Sequence, residues 1–213
     1  MELYDSNRSA AAYRVRLALS WKGLSHRAIA LSLSKGGGQQ LLPEYRALNP
    51  QGMLPSLVDD DFVLTQSLAI LEYLEETHPS PPLLPAGARQ RARARQFAQI
   101  IVSDIQSLTN LRVLTYLRSV LNTPDVARSL WFRHWLLEGL DALELWLTAE
   151  STGEFCVGDT VTMADICLVP LLHSARRFSL ALEDFPRLCE VEEACLALPA
   201  FQQAHPDRYP EDT

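Results

Sequence analysis

Between Met1 and Leu33 the chain spells strand, helix, strand. Met1 to Asp5 is short and alternates apolar with polar residues, the pattern of a strand. From Ser9 the spacing changes: Ala11, Val15, Ala18 and Leu19 recur at helical intervals, and Gly23 is placed to end the helix. His26 to Leu33 alternates again and reads as a second strand. A helix between two such strands is a βαβ unit, whose crossover makes the strands parallel and the connection right-handed.

The next fifty residues extend that unit. Ser34 to Gln40 carries Gly36, Gly37 and Gly38 in a row and reads as a mobile loop. Its spacing matches neither glycine pattern that cradles nucleotide phosphates. A short helix runs through Tyr45 and Leu48 and is stopped by Asn49-Pro50. Leu54 to Val58 and Phe62 to Leu64 read as hairpin strands around the Asp59-Asp60-Asp61 turn. Gln66-Ser67 opens a helix with an apolar face of Leu68, Ile70, Leu71 and Leu74, ending by His78-Pro79. The order βαβαββα matches a thioredoxin-like α+β domain over residues 1–80. Pro81, Pro82 and Pro85 make residues 81–87 a stiff linker. Residues 88–213 then read as an all-helical domain, with helical spacing over 89–121, 125–149, 163–178 and 188–197.

Charge and cysteine usage narrow the function classes. The 213 residues carry a formal net charge of −7 and no basic run, a poor match for nucleic acid or an anionic membrane. Arg89, Arg91, Arg93 and Arg95 alternate, which spreads them around a helix rather than gathering them on one face. No segment reaches the roughly 18–20 apolar residues of a membrane span, and the N-terminus lacks the pattern of a secretory signal. Cys156, Cys167, Cys189 and Cys195 form no C-x-x-C pair and no zinc-ligand spacing. They read as reduced thiols of a cytoplasmic protein without a metal site.

Several positions carry chemistry, each beside a plain structural alternative. Ser9 sits where a helix begins, and unpaired N–H groups and a positive dipole end stabilise an anion such as a thiolate there. The Ser9 hydroxyl would add a hydrogen bond; the alternative is a helix cap. Leu54-Pro55 precedes a strand, where a thioredoxin-like fold usually has a cis bond and exposes the preceding backbone. Gln66-Ser67 opens another helix, fit for a carboxylate or for capping. Thr162 and Asp165 read as a structural capping box. Arg8, Arg112, Arg176 and Arg177 could each grip a carboxylate with two parallel hydrogen bonds, or simply be solvated.

Taken together the pieces resemble the glutathione transferase family, and within it the zeta class. The residues that carry the resemblance are Arg8 to Leu19; Ala47-Leu48-Asn49-Pro50; Gln66 to Glu76; and Val157 to Asp165, continuing to Pro170. The likeness runs from Leu3 to about Pro206. The class usually reads Arg-Ser-Ser-Cys at the first helix, whereas this chain reads Arg8-Ser9-Ala10-Ala11. Ser9 is the one hydroxyl left in that segment.

The resemblance implies glutathione as cofactor. Leu54, Pro55, Gln66, Ser67, Gln40, Gln106 and Asn110 would bind it, and Ser9 would face its thiolate. It further implies cis–trans isomerisation of a maleyl keto-dicarboxylate, either maleylacetoacetate or maleylpyruvate. Arg8, Arg112, Arg176 and Arg177 would meet the substrate carboxylates, and Arg8 would share the catalytic work with Ser9. Two other readings stay open: a transferase acting on small α-halo acids, and a non-catalytic binding module, which the loss of Ser and Cys at positions 10 and 11 favours. The family is usually dimeric, which implies a homodimer.

Overall fold

The N-terminal alternation forms a strand in the structure, a computed structural model that describes residues 1–149 and 153–209. This strand, β1 (Glu2–Asp5), buries Leu3 and Asp5 on one side. The first helix, α1 (Ala10–Trp21), leads to β2 (Arg27–Ala30), which pairs parallel with β1. The crossover expected from the spacing is present, although the second strand is shorter than the 26–33 stretch suggested. Its residues are mostly exposed because β2 is a sheet edge.

After α2 (Pro43–Leu48), β3 (Ser56–Asp59) and β4 (Phe62–Thr65) form an antiparallel hairpin, and α3 (Ser67–Thr77) comes next. The sheet order is β2-β1-β3-β4, with β3 antiparallel to β1. Leu3 lies opposite Leu57, both almost fully buried, so the central strands share one apolar layer. The expected βαβαββα order is the observed one.

The described chain divides into two compact units, Met1–Leu84 with the C-terminal segment from Cys195, and Pro85–Ala194. The first boundary falls inside the proline-rich stretch. That stretch is held to the first unit by a buried ion pair. Lys22 Nζ donates to Glu75 Oε2 at 2.9 Å, to the His78 carbonyl at 2.7 Å and to the Pro81 carbonyl at 3.0 Å. The Glu75 carboxylate accepts from the amides of Leu83 and Leu84, whose side chains are buried. The clustering of the C-terminus with the first unit differs from a split at residue 88. Its cause is visible at α10 (Pro199–Ala204), where Ser20 Oγ donates to the Ala200 carbonyl at 2.8 Å and Phe201 is fully buried.

The second unit is helical. Its first helices are α4 (Ala88–Gln99), a π-helical turn (Ile100–Ile105), α5 (Gln106–Thr109) and α6 (Leu111–Ser119). The single helix expected over 89–121 is therefore interrupted. Asn110 is extended (φ −71°, ψ 160°), and its side-chain oxygen accepts from the Val113 amide at 3.0 Å, so it ends one helix and caps the next. The long α7 (Asp125–Ala149) carries Gly139 against the π turn, where a Cβ would overlap Ile105 Cγ1. Then come α8 (Met163–Arg177) and α9 (Pro186–Leu196).

Most of α8 is buried, and its start is the capping box read from the sequence. Thr162 Oγ1 accepts from the Ala164 amide, while Asp165 Oδ2 accepts from the Thr162 amide at 2.8 Å. Burial raises the pKa of the Asp165 carboxyl, and hydrogen bonds from Cys156 and Thr162 act the other way. All four cysteines are free.

Candidate active site

The opening of α1 is built as a cap. Ser9 is extended (φ −90°, ψ 110°), and its Oγ accepts from the Ala12 amide at 3.1 Å. Capping occupies a lone pair and leaves the hydroxyl hydrogen available to donate. The two readings of Ser9, helix cap and thiolate donor, are thus compatible in one side chain. Arg8, just before it, is exposed.

The glycine-rich loop is more ordered in geometry than a mobile loop. It forms two 3₁₀ turns, Lys35–Gly37 and Gln39–Leu41, with positive φ at all three glycines. Gly38 (φ 112°) is the position where only glycine serves, since a Cβ there would lie 2.6 Å from the Gln40 amide nitrogen. Gln40 is thereby buried with its amide folded back beside the loop. Its Oε1 is buried without a hydrogen-bond partner among the described residues.

The turn before β3 is held from below. Tyr45 Oη donates to the Met53 carbonyl at 2.7 Å, and the Asn49 amide donates to the same carbonyl at 2.7 Å. Tyr45 has one hydroxyl hydrogen, so Ser56 Oγ, 2.7 Å away, is the donor to Tyr45 Oη. Burial raises the Tyr45 pKa, with the Ser56 and Asn49 contacts working in the opposite sense. The network supports the cis Leu54-Pro55 peptide. Because the β1–β3 register ends at Tyr4 opposite Ser56, the Leu54 backbone lies beyond the ladder.

At the start of α3, Gln66 adopts the left-handed region (φ 71°, ψ 113°), and its Nε2 donates to Gln51 Oε1 at 2.8 Å. No side chain caps this helix. Ser67 is buried, and Arg14 Nη1 donates to Ser67 Oγ at 2.8 Å. Arg14, on α1, is fully buried. The other α1 arginine, Arg16, is fully buried too. Its Nη1 reaches both oxygens of Asp5 at 2.6 and 2.7 Å, and its Nε donates to the Ala204 carbonyl at 3.3 Å.

Neither arginine is singled out by sequence reasoning that follows the apolar spacing of α1. The signal is nevertheless present. Arg14 and Arg16 interrupt Ala12-Tyr13-Arg14-Val15-Arg16-Leu17-Ala18-Leu19, a run otherwise apolar on every side. A charge inside such a helix requires a built partner.

The other expected site residues lie in the helical unit. Gln106 is the first residue of α5, immediately after the π turn. Asn110 Nδ2 donates to the Ser107 carbonyl at 3.0 Å while its oxygen caps α6. Arg112 is exposed on α6, and Arg177 is exposed at the end of α8. Arg176 already holds a carboxylate of its own chain: its Nη1 donates to Glu192 Oε1 at 2.6 Å in a two-pronged pair. The hydrogen bonds to Glu192 raise the Arg176 pKa further, against the effect of partial burial. Phe178, the next step along, stacks on Phe132 with ring centroids 3.9 Å apart.

Comparison with known proteins places these features in a family. Residues 3–82 match the model of the glutathione S-transferase N-terminal domain, and residues 135–199 match that of the C-terminal domain. A probable maleylacetoacetate isomerase of Vibrio cholerae serotype O1 is 42% identical over 209 residues, covering 98% of this chain and 97% of that protein. A holo structure of maleyl pyruvate isomerase, described as a bacterial zeta-class glutathione S-transferase, superposes with a TM-score of 0.96. It is 40% identical, with 100% of both chains covered. The maleylacetoacetate isomerase of Methylobacterium extorquens AM1, crystallised with malonate and glutathione, superposes with a TM-score of 0.95. It is 42% identical, covering 99% of this chain and 98% of that one.

Proposed function

The chain belongs to the glutathione S-transferase family, and we propose that within it the protein is a glutathione-dependent cis–trans isomerase of maleylacetoacetate. The observation that carries this reading is the end-to-end match to isomerases of maleyl keto-acids, including one crystallised with glutathione and a dicarboxylate.

The residues of the first unit fit glutathione on their own chemistry. The buried Gln40 amide oxygen lacks a partner among the described residues and suits a ligand N–H. The Leu54 backbone, beyond the sheet ladder, suits an extended peptide. The N-terminus of α3, without a side-chain cap, suits a carboxylate with Gln66 and Ser67 beside it. When bound, glutathione supplies a thiolate that adds reversibly to the substrate double bond and so permits rotation about it.

The chain's own residues provide the setting. Ser9 donates its hydroxyl hydrogen toward the sulfur, and the first-turn amides of α1 add the positive end of the helix dipole. Arg8 presents a permanent positive charge one residue away, placed for substrate carboxylates and for negative charge developing between them. In the helical unit, Gln106 and Asn110 are assigned to glutathione and Arg112 and Arg177 to substrate. Arg176 is left with Glu192.

We further assign the protein to the cytoplasm as a homodimer. Four free thiols fit a reducing compartment. The edge strand β4 exposes the apolar Phe62 and Val63, a surface that suits association.

The test is an absorbance assay of maleylacetoacetate and maleylpyruvate turnover with and without glutathione. The expected result is turnover of maleylacetoacetate that requires glutathione and leaves its concentration unchanged. Glutathione consumed into an S-conjugate would mean a transferase instead. No glutathione-dependent turnover of either substrate would remove the isomerase reading. Sedimentation at twice the chain mass is expected, and a monomer would refute the dimer.

A further inference from the structure

We infer that Arg14 is a positioning residue for the α-carboxylate of the γ-glutamyl end of glutathione, acting through Ser67. This deepens the proposed function and rests on it.

Donor and acceptor roles at the Arg14–Ser67 contact are fixed by chemistry. A guanidinium has donors and no acceptor, and it does not deprotonate in a protein. The 2.8 Å contact from Arg14 Nη1 to Ser67 Oγ therefore uses a lone pair of the hydroxyl. The hydroxyl hydrogen must then point elsewhere, so Ser67 becomes a committed donor. Ser67 is the first residue of α3, whose N-terminal amides carry no side-chain cap. A donor hydroxyl, uncapped helix amides and a buried cation directly behind them form one arrangement, and its charge is complementary to a carboxylate. Arg14 itself is fully buried within α1, so a ligand meets its charge only through Ser67. In the poorly solvated interior that charge polarises the Ser67 hydroxyl and strengthens the bond it donates. Lysine would keep the charge but not the rigid fork that fixes the hydroxyl.

The competing account is purely structural: the bond merely ties α1 to α3. The two accounts differ in ligand selectivity. The measurement is calorimetric affinity for glutathione and for 4-aminobutyryl-cysteinylglycine, which lacks only the α-carboxylate of the γ-glutamyl residue. The expected result is that the unmodified protein prefers glutathione and that Arg14→Met cuts the preference about tenfold, the scale of one hydrogen bond to a charged group. Arg14→Lys should fall between them, and it decides the matter if Arg14→Met does not fold. In the isomerase assay the KM for glutathione should rise by a similar factor while kcat at saturating glutathione stays within about threefold.

Equal weakening of both ligands, or a fall in kcat at unchanged KM, would overturn the inference and leave the isomerase reading standing. An unmodified protein that binds neither ligand would overturn both.

Discussion

Ser9 shows how one small side chain can serve structure and chemistry together. Its oxygen accepts from the Ala12 amide, and its hydrogen is left to donate. A substitution that removes the hydroxyl at little cost to the helix separates the two roles. Glycine is close to serine as an N-cap, within a few tenths of a kcal/mol. Ser9→Gly should therefore leave the melting temperature nearly unchanged while lowering kcat/KM by about 10²-fold, the usual loss for one positioned donor to a developing anion. A rate within twofold of the unmodified protein would show that Ser9 only caps. The sequence makes this residue visible through its place at a helix start. It does not show that Ala10 and Ala11 leave the donor role to this hydroxyl and the backbone. Arg14 and Arg16 are less legible, because their partners Ser67, Asp5 and the Ala204 carbonyl are distant along the chain.

Among the elements, those with a strong local period read out well. The βαβ start, the β3–β4 hairpin, α3 and the capped start of α8 all lie where alternation, helical spacing or cap chemistry put them. The segment 89–121 does not. Its composition supports one long helix, yet it holds a π turn, a four-residue helix and a restart at Asn110. Tertiary packing explains the difference, since Ile105 fills the space that Gly139 of α7 leaves without a Cβ. A π turn is costly alone and persists where a neighbour fits it. Gly139→Ala should destabilise the protein by about 1–3 kcal/mol through overpacking, despite the better helix propensity of alanine. Chemical denaturation checks this, and a stabilised variant would show that Gly139 matters only for propensity. The glycine loop departs from its sequence pattern in a similar way. Three glycines in a row suggest freedom, but each takes a positive φ and Gly38 makes room for the Gln40 amide.

For the molecule as a whole, the C-terminal segment belongs with the N-terminal unit. Phe201 of α10 is fully buried there, and Arg16 and Ser20 of α1 hold the carbonyls of Ala204 and Ala200. Phe201→Ala should cost about 3–5 kcal/mol, as for other fully buried phenylalanines. The loss should register as unfolding of the glutathione-binding unit, read by weakened glutathione binding on mild heating. A loss below about 1 kcal/mol would show that α10 is dispensable to that unit. The residues of α10 look like the end of a helical domain because sequence order assigns them there. Contact does not follow sequence order.

The sequence by itself determined the elements of both units and the family to which the chain belongs. Those features rest on local periods, caps, turns and motif residues, each set by neighbours a few positions away. Only the tertiary structure decided where the charges of α1 go, how the 89–121 helix breaks, what shapes the glycine loop and which unit takes the C-terminus. Most of these depend on a partner far along the chain, such as Ser67 for Arg14, Gly139 for Ile105 or Ala204 for Arg16. Close packing fixes such pairs in space, and no local period encodes them.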